Sequence, residues 1–235
     1  MREQKRVFGV LGGMGPLASA EFLRTIYEYS LRGPEQQSPV VLVYSDPTFP
    51  DRTDAFLAGE AGVVLEQLTG ALGALTRMGA GRVVMCCMTI HHLLPQLPDE
   101  LRASVVSLLD VCFDSLARAG GRHLLISSTG TRRLRLFERH ARWEELSRHV
   151  VLPDEGDQYR IHRDLIYPIK NNPDLRELTP LLESLLAKYR VDSFIAGCSE
   201  IHLLAKHYEA GGGRRKYGCI DPLSVIAREL AQECT

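Results

Sequence analysis

Two copies of one seven-residue pattern carry the groups best suited to chemistry in this chain. Cys87-Met88-Thr89-Ile90-His91-His92-Leu93 and Cys198-Ser199-Glu200-Ile201-His202-Leu203-Leu204 both read C-x-x-I-H-x-L. Each follows an apolar, strand-like run (82–85 and 193–196), and each leads into a stretch able to begin a helix. A cysteine at such a junction lies at the carboxyl edge of a parallel sheet, where ligands collect. The positive end of the following helix favours its thiolate. Two such cysteines in related halves are expected to face one pocket. Paired thiols suit proton transfer at a carbon next to a carboxylate, one face giving its proton to a thiolate and the other receiving one from a thiol. Thr89 and Ser199 would offer hydroxyls and backbone N–H groups to that carboxylate. His91 and His202, four residues past each cysteine, either assist the thiols or pack against the sheet. The same Cys and His pairs admit a Cys2His2 zinc site, which two separate strand-to-helix junctions disfavour, so no metal is expected.

The elements that must position these groups repeat. Residues 7–11 form an apolar strand, Gly12-Gly13-Met14-Gly15-Pro16 a tight turn, and 18–29 a helix with proline in its first turn. Strand, glycine turn and helix N-terminus make a cradle for an anion, though without the fingerprint of a nucleotide site. A second strand (39–44) ends in a proline-rich loop holding Arg52, placed to grip a carboxylate through both arms of its guanidinium. A helix over 61–78 leads to the strand before Cys87. The plan restarts at 122–127, a strand followed by the turn Ser128-Thr129-Gly130-Thr131 and a helix from Arg132 that contains Trp143. A strand-like 150–153, helix-forming segments at 157–170 and 179–189, and the strand to Cys198 complete it. The predicted fold is α/β, with two similar pseudo-symmetric halves, each a mainly parallel sheet flanked by helices, and the active site between them. The halves are placed at 1–108 and 109–208, with 209–235 packing back on the first. Gly211-Gly212-Gly213 reads as a mobile loop.

Bulk composition narrows the function classes. The 235 residues are 45% hydrophobic and 24% charged with a net charge of −1, which describes a folded protein without a bulk drive toward nucleic acid or anionic membrane. The basic runs at 132–135 and 213–216 read as solvated surface. Residues 1–6 show no signal-peptide pattern, and no apolar run approaches a membrane span. A cytoplasmic protein with six reduced cysteines is therefore expected, without nucleic-acid or membrane partners. Cys112, Cys219 and Cys234 read as small hydrophobes, and Cys86 points away from Cys87 by strand alternation.

In this order and spacing, the motifs Gly12-Gly13-Met14-Gly15-Pro16, Pro50-Asp51-Arg52-Thr53, Cys87-x-Thr89-x-His91, Thr129-Gly130-Thr131, Tyr167-x-Ile169-Lys170 and Gly197-Cys198-Ser199-Glu200 resemble the aspartate/glutamate racemase family, close to its aspartate racemase branch. The resemblance spans nearly the whole chain. It implies two α/β halves with a pocket between them, a homodimer, and racemisation of an amino acid without pyridoxal phosphate or metal. By position it makes Cys87 and Cys198 the acid/base pair, and Arg52 and Lys170 the carboxylate-binding cations. Thr89, Thr129, Ser199 and Glu200 help hold the substrate, with Met14 and Met88 also at substrate-lining positions. The departure is Met88, where the family usually has an asparagine whose amide helps bind the substrate. Methionine donates no hydrogen bond and fills space with a flexible apolar chain. The leading reading is an aspartate, glutamate or related amino-acid racemase. The alternatives are another isomerase, hydantoin-type racemase or decarboxylase acting on a modified substrate, and a pocket that binds an amino acid without turning it over.

Overall fold

The computed structural model describes residues 7–31, 34–171, 174–211 and 217–233; the basic run at 213–216, Gly212, Gly213 and Cys234 lie outside them. In the first half β1 (Val7–Gly12) leads through the glycine turn to α1 (Pro16–Ser30) and β2 (Val40–Ser45). Two helices, α2 (Arg52–Leu57) and α3 (Ala61–Arg77), precede β3 (Ala80–Met85). A 3-10 helix (Thr89–Gln96), α4 (Asp99–Ser104), the short β4 (Val105–Val106) and α5 (Leu108–Ala119) follow. The second half contains β5 (His123–Ser127), α6 (Thr129–Arg133), α7 (Trp143–Leu146), β6 (Val150–Val151) and α8 (Glu155–Arg160). A π-helical turn (Ile161–Ile166) joins α8 to α9 (Tyr167–Ile169), and α10 (Leu175–Tyr189), β7 (Ser193–Gly197) and α11 (Ile201–Glu209) complete the unit. The chain ends in β8 (Gly218–Ile220) and α12 (Pro222–Glu233). The sheets run β2-β1-β3-β4 and β6-β5-β7-β8, every described pair being parallel. Each cysteine of the repeated pattern thus leaves the carboxyl end of an interior strand, β3 or β7.

Side-chain alternation along β3 and beyond its end divides the core. Val83, Met85 and Cys87 pack in the outer core of the first half, whereas Val84, Cys86 and Met88 point the other way. The latter join an apolar layer between the sheets that also takes Phe8, Val10 and Phe22 from the first half, Leu125 and Ile195 from the second, and Phe113 and Ile226 from α5 and α12. A third core, with Leu124, Ile126, Phe194 and Cys198, lies outside the second sheet. Both halves supply the middle layer, so neither buries its inner face alone. Strand β8 pairs with β7, while α12 crosses to lie along α1 and α5.

Three helical readings change in the structure. The Cys87 carbonyl meets the Nδ1 of His91 at 2.9 Å, and the His91 amide donates to Met88 instead, at 3.1 Å. That i→i−3 pattern, with Pro95 lacking an N–H, gives a 3-10 helix after the first cysteine rather than an α-helix. The helix expected from Arg132 breaks at Arg135, whose φ of 54° is left-handed, with the Leu136 amide closing onto the Thr131 carbonyl at 3.2 Å. In 157–170 the π turn inserts an extra residue and resets the helical phase just before Tyr167 and Lys170. No helix among the described residues is long and apolar enough to cross a membrane.

Candidate active site

Cys87 and Cys198 are 7% and 8% exposed, held at the carboxyl ends of the two sheets. The two lie near enough that Cys87 adds to the forces acting on Cys198. Each thiol has a different companion. Arg52, itself 7% exposed, lies close enough to Cys87 for the two to interact electrostatically. Burial works against the guanidinium charge, and Cys87, Asp51 and Glu200 outweigh it and hold Arg52 above its ordinary range. Its Nη1 donates to the carbonyls of Phe49 (3.2 Å) and Pro50 (2.8 Å), and its Nη2 to that of Met14 (2.5 Å). Three of five N–H groups are therefore spent on backbone, and Nε, buried without a hydrogen-bond partner, belongs to the edge left for a ligand. That edge is narrower than a guanidinium with both arms free.

Cys198 donates its thiol to Glu200 Oε2 at 2.8 Å, and Ser199 Oγ donates to the same oxygen at 3.3 Å. Burial first, then the Glu200 charge and hydrogen bond, push the Cys198 thiol well above its ordinary range, against the pull of Lys170. The expectation that a helix N-terminus lowers this thiol is thus reversed. Glu200 is the residue preceding α11 and sets its own charge between that helix end and the sulfur. Glu200 is 3% exposed and rests against the glycine turn of the first half, where a Cβ on Gly15 would collide with its Oε1. The anion cradle read from 12–16 therefore faces a carboxylate of the protein itself.

Thr89 meets Ser128 Oγ and Thr131 Oγ1 at 3.0 Å each, and Ser128 reaches Thr131 at 3.2 Å, a triangle of hydroxyls joining the two halves. Gly130 sits under it, and any Cβ there would lie 2.7 Å from Thr53 Oγ1. Thr129 is half-buried, with its N–H on His162 Nδ1 at 3.2 Å. Lys170 stands 4.6 Å from the Tyr167 ring and 3.6 Å from Asp51. Met14 is buried in the outer core beside the site and reaches Arg52 through its carbonyl. Met88, 1% exposed, belongs to the layer between the sheets. The histidines are turned elsewhere. His91 links the Cys87 carbonyl to the Leu108 amide (3.0 Å), and His202 links Asp221 (2.6 Å) to Thr25 (3.1 Å). Their ring nitrogens are thus engaged with groups other than the thiols, and no cluster among the described residues has the makings of a metal site. Asp51, Thr53, Ser128 and Thr131 are site neighbours to which the sequence alone gives no role; they lie in Pro50-Asp51-Arg52-Thr53 and Ser128-Thr129-Gly130-Thr131.

Two repeated parallel sheets that bring paired thiols and flanking cations to one edge define an α/β protein of duplicated design. The model of the Asp/Glu/hydantoin racemase family matches residues 11–230, and the chain belongs to that family of isomerases. Its fold is similar to that of Picrophilus torridus aspartate racemase, with a TM-score of 0.81 at 20% identity over 97% of this chain and 94% of that one. A glutamate racemase from Bacillus anthracis matches with a TM-score of 0.63 at 15% identity, over 99% and 82% of the two chains. Allantoin racemase from Klebsiella pneumoniae matches with a TM-score of 0.55 at 14% identity, over 97% and 86%.

Proposed function

We propose that this protein racemises or epimerises an amino acid, aspartate, glutamate or a close relative, by two-thiol proton transfer without a cofactor. The unequal environments of the two cysteines carry this reading. The Arg52 cation lies beside Cys87 and the Glu200 carboxylate beside Cys198, and on that division Cys87 is the base in one direction. Cys198, a neutral thiol hydrogen-bonded to Glu200, is the acid that protonates the opposite face of the α-carbon. The C–H electron pair stays on the carbon as the proton passes to the Cys87 sulfur, and the Cys198 S–H proton then forms the new bond, leaving a thiolate. In the reverse direction that Cys198 thiolate takes the α-proton and the Cys87 S–H gives one to the opposite face; between turnovers Glu200, bonded to the Cys198 sulfur, is placed to pass a proton to or from it. The free edge of Arg52 and the ammonium of Lys170 favour a substrate with a carboxylate and a second polar or anionic group.

Proton exchange tests the proposal. Each enantiomer of aspartate, glutamate and a wider amino-acid panel is incubated with protein in heavy water, and α-deuteration is read by mass spectrometry. Loss of interconversion of the enantiomers in both Cys87→Ala and Cys198→Ala is the expected result, with any remaining exchange confined to one enantiomer and its configuration retained. Interconversion surviving in either variant removes the two-thiol mechanism, and silence across the panel in folded, reduced protein favours the non-catalytic pocket.

A further inference from the structure

Asp51 divides its two oxygens between the halves of the molecule. Oδ1 accepts the amides of Thr53 (2.8 Å) and Asp54 (3.3 Å), capping α2, whose first residue is Arg52. Oδ2 accepts the Tyr167 hydroxyl at 3.1 Å and lies 3.6 Å from Lys170 Nζ, both from the second half. The second-half side of this link is itself braced. Lys170 lies over the Tyr167 ring, the His162 ring meets the same tyrosine edge-on at 4.6 Å, and His162 holds the Thr129 amide. Arg52 is fixed from below by three backbone carbonyls. One carboxylate therefore connects the two cations that flank the thiols, one beside Cys87 and the other within reach of Cys198 and Glu200. At 25% and 29% exposure, Lys170 and Asp51 are the more open part of a site whose thiols are buried.

We propose that Asp51 is a positioning residue for the reaction, one oxygen fixing the turn that carries Arg52 and the other holding Lys170 across the cleft, so that both cations keep one spacing. The inference rests on the racemase reading for its catalytic meaning and on the geometry alone for the clasp. The charged and titratable groups facing Lys170 include Glu200, Cys198, Asp51, Arg52 and His162, with Tyr167 beneath it. Burial opposes the ammonium charge and the anions, Asp51 among them, outweigh it, so loss of the Asp51 charge exposes more neutral amine.

Asp51→Asn keeps an amide oxygen for the helix cap and removes the charge from the clasp; Tyr167→Phe removes one clasp contact and leaves the cap untouched. Two readouts are taken on folded, full-length protein. Acetylation of Lys170 by limiting acetic anhydride, scored by peptide mass spectrometry against Lys188, is expected to rise about threefold or more in Asp51→Asn and less in Tyr167→Phe. For an amino acid that the wild type exchanges, KM is expected to rise about tenfold in Asp51→Asn, with kcat within about threefold, because the cap keeps Arg52 beside Cys87 while the released Lys170 holds substrate rather than moves the proton. Unchanged Lys170 labelling overturns the clasp. An unchanged or lower KM overturns the positioning role, the lower value showing that Asp51 merely competes with substrate for Lys170. If the wild type exchanges nothing, the racemase reading fails, the positioning role in that reaction falls with it, and Lys170 labelling decides the clasp on its own.

Discussion

The Met88 side chain extends into the apolar layer between the sheets, beside Cys86 and Phe22, although its position in the motif places it next to a thiol. An amide there would lie among hydrocarbon, so Met88→Asn is expected to cost about 1–3 kcal/mol of stability, read as a lower urea midpoint. It is not expected to raise turnover of aspartate or glutamate. His91 works through backbone rather than through sulfur. Its ring is buried and lowered to about 4, desolvation outweighing the Cys87 carbonyl, so it is neutral in the fold. The unfolded chain binds a proton near pH 6.5 that the folded protein refuses until about pH 4. Stability is therefore full above pH 6.5 and falls as pH drops through that window, by about 3 kcal/mol in all. Chemical denaturation at stepped pH should show this slope, and His91→Gln should flatten it.

Among the elements, the glycine turn before α1 has the clearest consequence for the site. Its Gly15 lets the Glu200 carboxylate approach, and Glu200 in turn faces Cys198. Gly15→Ala has no conformational penalty from a positive φ, since Gly15 is extended at −165°, so its effect comes from the collision alone. The expected result is a loss of kcat of about tenfold or more with smaller change in KM, because the moved group serves the proton and not the substrate. The 3-10 helix after Cys87 is a second device of this kind. By sending the Cys87 carbonyl to a side chain, it fixes the cysteine loop through α5, at the Leu108 amide, rather than through its own helix.

At the scale of the whole molecule, the halves share an apolar layer and, besides the Thr89 hydroxyl triangle, a buried polar tie at His202. His202, fully buried, joins α11 to Thr25 of α1 and to Asp221 before α12. Burial alone would raise the Asp221 carboxyl, and His202, Ser224 and the Leu223 amide hold it below its ordinary range instead. Replacing His202 with alanine strands that carboxylate and is expected to cost about 3–5 kcal/mol. Because both halves depend on the shared layer, the wild type should unfold in one transition, with Trp143 fluorescence and far-ultraviolet circular dichroism superimposing. Separate transitions would show that the halves stand independently.

Strand periodicity, the paired C-x-x-I-H-x-L patterns and the chain order were sufficient for two parallel-sheet halves and for the emergence of both cysteines at sheet edges, because these depend on residues close in sequence. Alternation likewise separated Cys86 from Cys87. What each thiol touches was not legible, since the decisive partners come from far along the chain: Arg52 for Cys87, the Gly15 turn for Glu200, and Tyr167 and Lys170 for Asp51. Helix-end reasoning favoured a thiolate at Cys198, and the tertiary structure reversed it by burying the sulfur beside a carboxylate. Local pattern determined which groups reach the edge of the sheets, and the packing of one half on the other decided their charges and partners, because burial and charge proximity exist only once distant segments meet.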